Sequence, residues 1–369
     1  MKKLVIIEHE PLTIRLKQIW NIEILLEKGV DVEYWDLSQL IYKGINIPEM
    51  VSERYIKKIC SISEFKKQLS VVEVKDIVFA LEIFVNWKNR KILRLLRKYK
   101  CECVKIDLYA NTGVNNYIRQ SFWKKITSFN FQKVCNKLLF PLYKKMFIGN
   151  ICRKKLSSSK FSKPNFYINH PDYELFISDV CDPIIKEEKY IVFIDVYYPL
   201  HPDLKFYFNV KNVDVDGYRK IMCDFFSFLE DKYKMKVIIA AHPKSIYTDG
   251  DFNGRKIIKG KTLNLVKHAS YVITHESNSL SFIFLANKPF AMVYPETYRN
   301  SPFLYNYINN LALFCGKEAY DLNRIDWENI KFTKVSDYIR NYYIENYLSA
   351  PEIYLKTNAE IIYNKLLKK

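Results

Sequence analysis

Residues 236–295 constrain the fold more than any other part of the chain. They read KVIIAAHPKSIYTDGDFNGRKIIKGKTLNLVKHASYVITHESNSLSFIFLANKPFAMVYP. Three short apolar runs, 237–240, 271–274 and 290–294, have strand composition, and helical patterns lie between them. Strands alternating with helices imply a parallel sheet covered by its crossovers. The first run ends in His242-Pro243 and the second in His275-Glu276-Ser277-Asn278-Ser279. Open parallel sheets bind ligands beyond the carboxyl ends of their strands. The two polar clusters are therefore candidates for one site.

The same alternation fills the rest of the chain. Residues 4–7 form a buried-strand run, 11–28 carry apolar residues at near-helical spacing, Gly29 suits a helix end, and 31–37 alternate as a strand. Residues 76–81 and 103–109 read as strands around an amphipathic helix at 87–99. A further strand at 190–196, a helix at 213–233, a strand at 256–258 and helices at 262–268 and 280–286 complete a second set. Residues 337–347 and 353–367 read as terminal helices. We expect an α/β fold with a domain over 1–175, a second over 176–335, and helices at 336–369 of which one crosses back to the first domain. No GxGxxG follows the first strand, so nothing supports a dinucleotide on such a turn.

Charge is uneven. The net charge is +18, with Lys far outnumbering Arg, which general codon bias explains in part. Bias does not explain 108–171, which holds twelve Lys or Arg and no Asp or Glu. Within 119–164, Phe122, Trp123, Ile126, Leu138, Leu139, Leu142, Met146 and Phe147 interleave with Lys124, Lys125, Lys137, Lys144 and Lys145. This pattern suits the interface of an anionic bilayer. It also suits a helical insertion packed on the sheet with solvated lysines. Residues 157–164 read as an exposed loop. The first apolar run stops at Glu8, too short for a signal peptide, and no run approaches a membrane span, so any membrane contact is expected to be peripheral and cytoplasmic. Eight scattered cysteines without a CxxC pair point to reduced thiols rather than zinc. Asp214-Val215-Asp216 has DxD spacing but opens a predicted helix, so no metal is expected.

Proline in His242-Pro243 stops the ladder, and the histidine can bond or neutralise a phosphate. Ser277-Asn278-Ser279 precede a helix, where hydroxyls and free N–H groups either cap it or hold an anion. His242, Lys244 and Lys261 are the groups available to meet phosphate charge. A transfer with inversion needs a base. Glu8, His9 and Glu10 follow the first strand, in competition with a plain helix start at Pro11. Asp195 and His201 are further candidates, followed by Asp107 and Asn111.

The succession of strand-His-Pro, helix, ASYVITHESNSL and ANKPFAMV resembles the donor-binding half of GT-B glycosyltransferases. Within that class it is similar to bacterial sialyltransferases and surface-polysaccharide transferases of capsule or lipopolysaccharide. The resemblance covers about residues 190–295. It implies two Rossmann-like, doubly wound domains facing a cleft. It implies that His242 and Pro243 approach a CMP phosphate and that Ser277 and Ser279 do the same, with Lys244, His275, Glu276 and Asn278 around them. The acidic motif of that family is missing: the nearest stretch, Asn111-Thr112-Gly113, has no carboxylate. The expected function is metal-independent transfer of a sugar from a nucleotide donor, a CMP-linked acidic sugar, to a bacterial surface glycan or glycolipid, with no cofactor beyond the donor. The alternatives are another nucleotide-sugar or CDP-polyol transferase on the same fold, or a catalytically inert, membrane-associated assembly protein. Nucleic acid is not an expected partner, since no RNP, helix-turn-helix or zinc-finger pattern accompanies the charge.

Overall fold

The structure is a computed structural model that describes residues 2–42, 50–107, 135–179, 182–186, 188–201, 214–248 and 250–368. The chain divides into two compact units. Among the described residues the first runs up to Pro171 and takes in everything from Ser349 on, and the second runs from Asp172 to Leu348.

The first unit is a seven-stranded sheet: β1 Lys3–Glu8, β2 Val32–Asp36, β3 Ile56–Lys58, β4 Ile77–Leu81, β5 Glu102–Asp107, β6 Cys152–Ser157 and β7 Phe166–Tyr167. Its order is β3-β2-β1-β4-β5-β6-β7 and every pairing is parallel. Both faces are covered, which is why β1 is apolar without interruption. Leu4 and Ile6 pack into one layer and Val5 and Ile7 into the other, all fully buried. Burying each such side chain is worth about 1.5–3 kcal/mol.

The second unit is a six-stranded parallel sheet of β8 Tyr190–Ile194, β9 Lys236–Ala241, β10 Ile257–Lys259, β11 Tyr271–Thr274, β12 Phe290–Tyr294 and β13 Ala319–Asp321. The order is β10-β9-β8-β11-β12-β13. Winding therefore reverses beside β8, between β8 and β11. In the first unit it reverses between β1 and β4. A doubly wound sheet opens its ligand crevice at such a reversal.

Several sequence expectations change. The helix expected over 11–28 is two, Ile14–Ile19 and Ile22–Glu27, because Asn21 between them takes a left-handed conformation at φ 50°. Gly29 closes the second at φ 77°, where its N–H bonds the Leu26 carbonyl at 2.8 Å. The loop expected at 157–164 begins as the end of β6, and Ser157, Ser158 and Ser159 are buried. Short serines fit there because the strand end is covered by packing, which hydropathy alone does not report. Asp214 caps the helix Val215–Tyr233 by accepting from Gly217 N at 2.9 Å, and any side chain at Gly217 would meet the capping carboxylate. Residues 119–134 of the basic stretch and Asn111 lie outside the described residues, as do the start of the helix expected from 213 and the end of the strand expected to 109.

The C-terminal segment joins the first unit through a buried amide cluster. Asn169 N donates to Asn358 Oδ1 at 2.8 Å and Asn358 Nδ2 donates to the Asn169 carbonyl at 2.9 Å. Ser349 Oγ donates to Asn169 Oδ1 at 2.7 Å. The helix Asp337–Tyr343 belongs to the second unit, where Arg340 Nε donates to the Phe284 carbonyl at 2.7 Å.

Candidate functional site

In the second unit β8 lies between β9 and β11, so the polar segments after these three strands start from neighbouring strand ends. Asp195 follows β8 directly and is buried, at 2% exposure. Its Oδ1 accepts from Tyr197 N at 2.8 Å. Its Oδ2 accepts from His242 N at 3.1 Å and from the Tyr247 hydroxyl at 3.0 Å. One carboxyl thus ties the end of β8 to the loop after β9. Burial pushes Asp195 up to about 6, against the pull of these hydrogen bonds. With three donors on it, Asp195 holds the His242 loop against the end of β8.

His242 is half-buried, and Pro243 and Lys244 beside it are exposed. Lys244 N donates to His242 Nδ1 at 3.1 Å. That bond makes Nδ1 an acceptor, so the neutral ring carries its proton on Nε2. The ring of His201 stands edge-on to it, 4.7 Å between centroids. Lys261 occupies the position before the helix Thr262–His268.

At the end of β11 the sequence cluster separates into two layers. His275 is fully buried, with Nδ1 on the Val293 carbonyl at 2.6 Å and Nε2 on the Tyr218 hydroxyl at 3.0 Å. Desolvation lowers it to about 4, so it is neutral at pH 7. It supports the strand end from beneath and does not stand on its surface. Above it, Ser277 and Ser279 are half-buried and Asn278 is exposed. Ser279 makes no side-chain cap to the short helix Leu280–Leu285; instead Ser277 Oγ accepts from Ser279 N at 3.1 Å. Glu276 is held by the Tyr298 hydroxyl, which donates to Oε1 at 3.1 Å. A cavity of about 440 Å³ lies alongside, lined by Tyr218, Pro295, Thr297, Arg299, Asn323 and Arg324 among others.

The first unit has its own cluster at the matching reversal. Glu8, at the end of β1, is buried, and His9 beside it is half-buried. His9 Nδ1 lies 2.6 Å from Glu8 Oε1 and 2.8 Å from the Glu82 carbonyl. Both neighbours are acceptors, so Nδ1 carries the proton and Nε2 keeps the lone pair. Phe84 and Tyr42 wall the ring, 5.3 and 6.0 Å between centroids. Desolvation alone would lower the imidazole pKa, but the Glu8 bond, with the charges of Glu8 and Glu10, raises it above its ordinary value.

Glu82, just after β4, is the residue that sequence reading missed. Lys105 Nζ donates to its Oε2 at 2.7 Å and Ile106 N to its Oε1 at 3.2 Å. Burial, with a smaller push from Glu8 and against the pull of Lys105, moves it up to about 7. Its only sequence signal was a carboxylate at the carboxyl end of a strand, the same signal that singled out Glu8. Asp107 lies at the end of β5, 3.6 Å from Lys155 Nζ.

No family profile and no curated protein sequence matches the chain. Solved structures are similar in fold. UDP-GlcNAc 2-epimerase from Methanocaldococcus jannaschii matches with TM-score 0.50 and 13% identity over 99% of both chains. The glycosyltransferase SnogD from Streptomyces nogalater matches with TM-score 0.48 and 10% identity over 99% of both. MurG of Acinetobacter baumannii matches with TM-score 0.40 and 8% identity over 88% of both. At such identities the likeness is one of fold, and the two doubly wound parallel sheets give this chain a GT-B α/β fold.

Proposed function

We propose that this protein is a metal-independent glycosyltransferase that takes a sugar from a nucleotide donor and passes it to a bacterial surface glycan or glycolipid. The supporting observation is the joining of His242 to β8 through Asp195, with β8 paired at the reversal of winding to β11, the strand that Ser277 and Ser279 follow. A phosphate at these strand ends would meet the Nε2–H of His242, the hydroxyls of Ser277 and Ser279, and the Lys244 ammonium. His9 serves as the base: Glu8 and the Glu82 carbonyl hold the Nδ1 proton, and Nε2 accepts the proton of the acceptor hydroxyl as it attacks. The donor is a CMP-linked acidic sugar, following the resemblance of the His-Pro and Ser motifs. Epimerisation of UDP-GlcNAc is the second reading, favoured by the full-length fold likeness to an enzyme of that name.

One experiment separates these. A thermal-shift series with CMP, CDP, UDP, GDP and dTDP finds the nucleotide, because a ligand of the folded state alone raises stability by mass action. Incubation with UDP-GlcNAc and no acceptor then tests for a 2-epimer. The expected result is stabilisation by CMP and no epimer; an epimer, or no stabilisation by any nucleotide, overturns the transferase reading. His242→Ala is expected to weaken nucleotide binding by about 1.5–3 kcal/mol, the range for a hydrogen bond to a charged group. Ser277→Ala is expected to cost less, since backbone N–H groups stay. Wild-type affinity in both variants would place the phosphate elsewhere.

We also propose that the enzyme works at the inner face of an anionic membrane. Among the described residues no helix is long and apolar enough to cross one. The helical run 135–148 buries Cys135, Phe140 and Ile148 and exposes Leu138, Leu142 and Met146 at 64, 62 and 68%. Spacing by four puts these three on one stripe, and Lys137, Lys144 and Lys145 stand on the same run. An apolar stripe among cations suits the boundary between headgroups and acyl chains. Co-sedimentation with phosphatidylglycerol vesicles should show binding that falls with salt and is lost when Lys137, Lys144 and Lys145 become Glu. Each cation near the surface contributes roughly 1 kcal/mol. Equal binding to neutral vesicles would refute the electrostatic part.

A further inference from the structure

Glu276 carries a carboxyl oxygen with an unmet hydrogen bond. Oε1 has the Tyr298 hydroxyl, but Oε2 is shielded from solvent and has no partner among the described residues. Tyr298, after β12, bonds the carboxyl, and three further phenols from other segments feel its charge: Tyr198 after β8, Tyr218 on the helix Val215–Tyr233 and Tyr307 on the helix Pro302–Phe314. Two of the other hydroxyls are committed elsewhere. Tyr218 bonds His275 Nε2, and Tyr198 donates to Thr297 Oγ1 at 2.9 Å. Among the described residues, burial, its own backbone and the Tyr298 hydroxyl are what set its charge state, burial first.

An ionised carboxylate here would leave a bare oxygen out of water, at a cost of several kcal/mol. The neutral acid avoids that cost and turns Oε2 into a donor without an acceptor. Next along the chain are Ser277 and Ser279, at the reversal of winding where a ligand anion is expected. Tyr218 and Thr297, which belong to the same phenolic network, also line the adjoining cavity. An acid kept neutral by an apolar site can donate to an anionic oxygen, and does so more strongly as charge grows there.

We propose that Glu276 binds the nucleotide as a neutral carboxylic acid, donating the proton on Oε2 to a phosphoryl oxygen of the leaving nucleotide. This rests on the glycosyltransferase reading and adds to it a residue that bonds the leaving phosphate. The proton is not transferred: it stays on Glu276 and stabilises the charge that the phosphate gains when the glycosidic bond breaks. Nucleotide binding then requires the protonated form. Burial pushes Glu276 up to about 8, so the acid is in place at pH 7 and is lost as pH rises through that value. The neighbours do not titrate in this window. Tyr198 and Tyr307 are pushed by burial up to about 12, Tyr218 and Tyr298 higher still, and His275 is already neutral.

Titration calorimetry with CMP and UDP between pH 7 and 9.5 tests this on the whole chain. Wild-type affinity should hold to about pH 8 and then fall toward roughly tenfold per pH unit, the slope of one linked proton. Glu276→Gln keeps a donor at every pH, so its affinity should match wild type at pH 7 and stay level to 9.5. Glu276→Ala should bind weakly at every pH. A level wild-type profile, or a Gln variant that declines like wild type, overturns the proposal and leaves the transferase reading standing. No binding of either nucleotide to wild type at pH 7, together with no stabilisation by CDP, GDP or dTDP, overturns both.

Discussion

His9→Ala is expected to lower turnover by about 10²–10⁴-fold with little change in nucleotide affinity, the range for loss of a positioned general base. The proposed roles predict that split. His9 lies at the end of β1 in the first unit, whereas the groups assigned to the nucleotide lie at the ends of β8, β9 and β11 in the second. The pH profile supplies a second reading of the same residue. A base must be unprotonated, so activity should rise with pH through the His9 pKa. Glu8 raises that pKa above the ordinary imidazole value, so the acid limb should lie above about 6.5. Glu8→Gln removes the charge but not the shape. Its acid limb should move down in pH, a result that a merely structural Glu8 would not produce. An unchanged rate in His9→Ala would eliminate the base, and Glu82 would be the next carboxylate to test.

Asp195→Ala should destabilise the second unit by about 3 kcal/mol. It strands three donors, Tyr197 N, His242 N and the Tyr247 hydroxyl, and a buried unsatisfied group costs about 1–3 kcal/mol. For a unit of this size that is roughly 6–12 °C in melting temperature. Nucleotide stabilisation should disappear as well, because the His242 loop loses its tether to β8. Asp195→Asn keeps one acceptor and should fall between wild type and Ala. Its pH dependence carries the sign. Burial pushes Asp195 up to about 6, whereas the unfolded chain titrates near 3.9. The folded state therefore holds the proton more tightly. This contribution favours folding fully below about pH 4 and is lost as pH rises through about 6. Wild type should lose stability over that interval relative to Asp195→Asn. Parallel pH curves for the two would show that Asp195 is ionised throughout, and an Ala variant that still responds to nucleotide would show that the loop does not need the tether.

Local composition determined the frame of this protein. The predicted strands over 271–274 and 290–294 and the helix over 262–268 coincide with β11, β12 and Thr262–His268, and the other strands of 236–295 agree to within a residue at most ends. Short continuous apolar runs rich in β-branched residues suit strands buried on both faces, so short-range pattern carries much of the frame. The edge strands β3, β7 and β13 and the interior strand β6 were not foreseen: two or three residues carry too little periodicity to stand out, and β6 reads CRKKLS, basic rather than apolar.

The chemistry of the strand ends was decided by tertiary contacts. The sequence places HESNS at one strand end without showing its layering: His275 is sealed under the sheet end while Ser277 and Ser279 are half-buried. What separates them is Tyr218 from one helix and Val293 from another strand. Asp195 is a candidate base by sequence; its hydrogen bond to Tyr247, far along the chain, is visible only in the fold. Glu82 gained its place from Lys105 and His9, and the return of the C-terminal segment depended on Asn169 meeting Asn358. The physical reason is the same in each case. A side chain's hydropathy is written in its own chemistry, so apolar periodicity can be read locally. A polar group's protonation and role depend on which partners reach it once water has been excluded, and those partners arrive from distant parts of the chain.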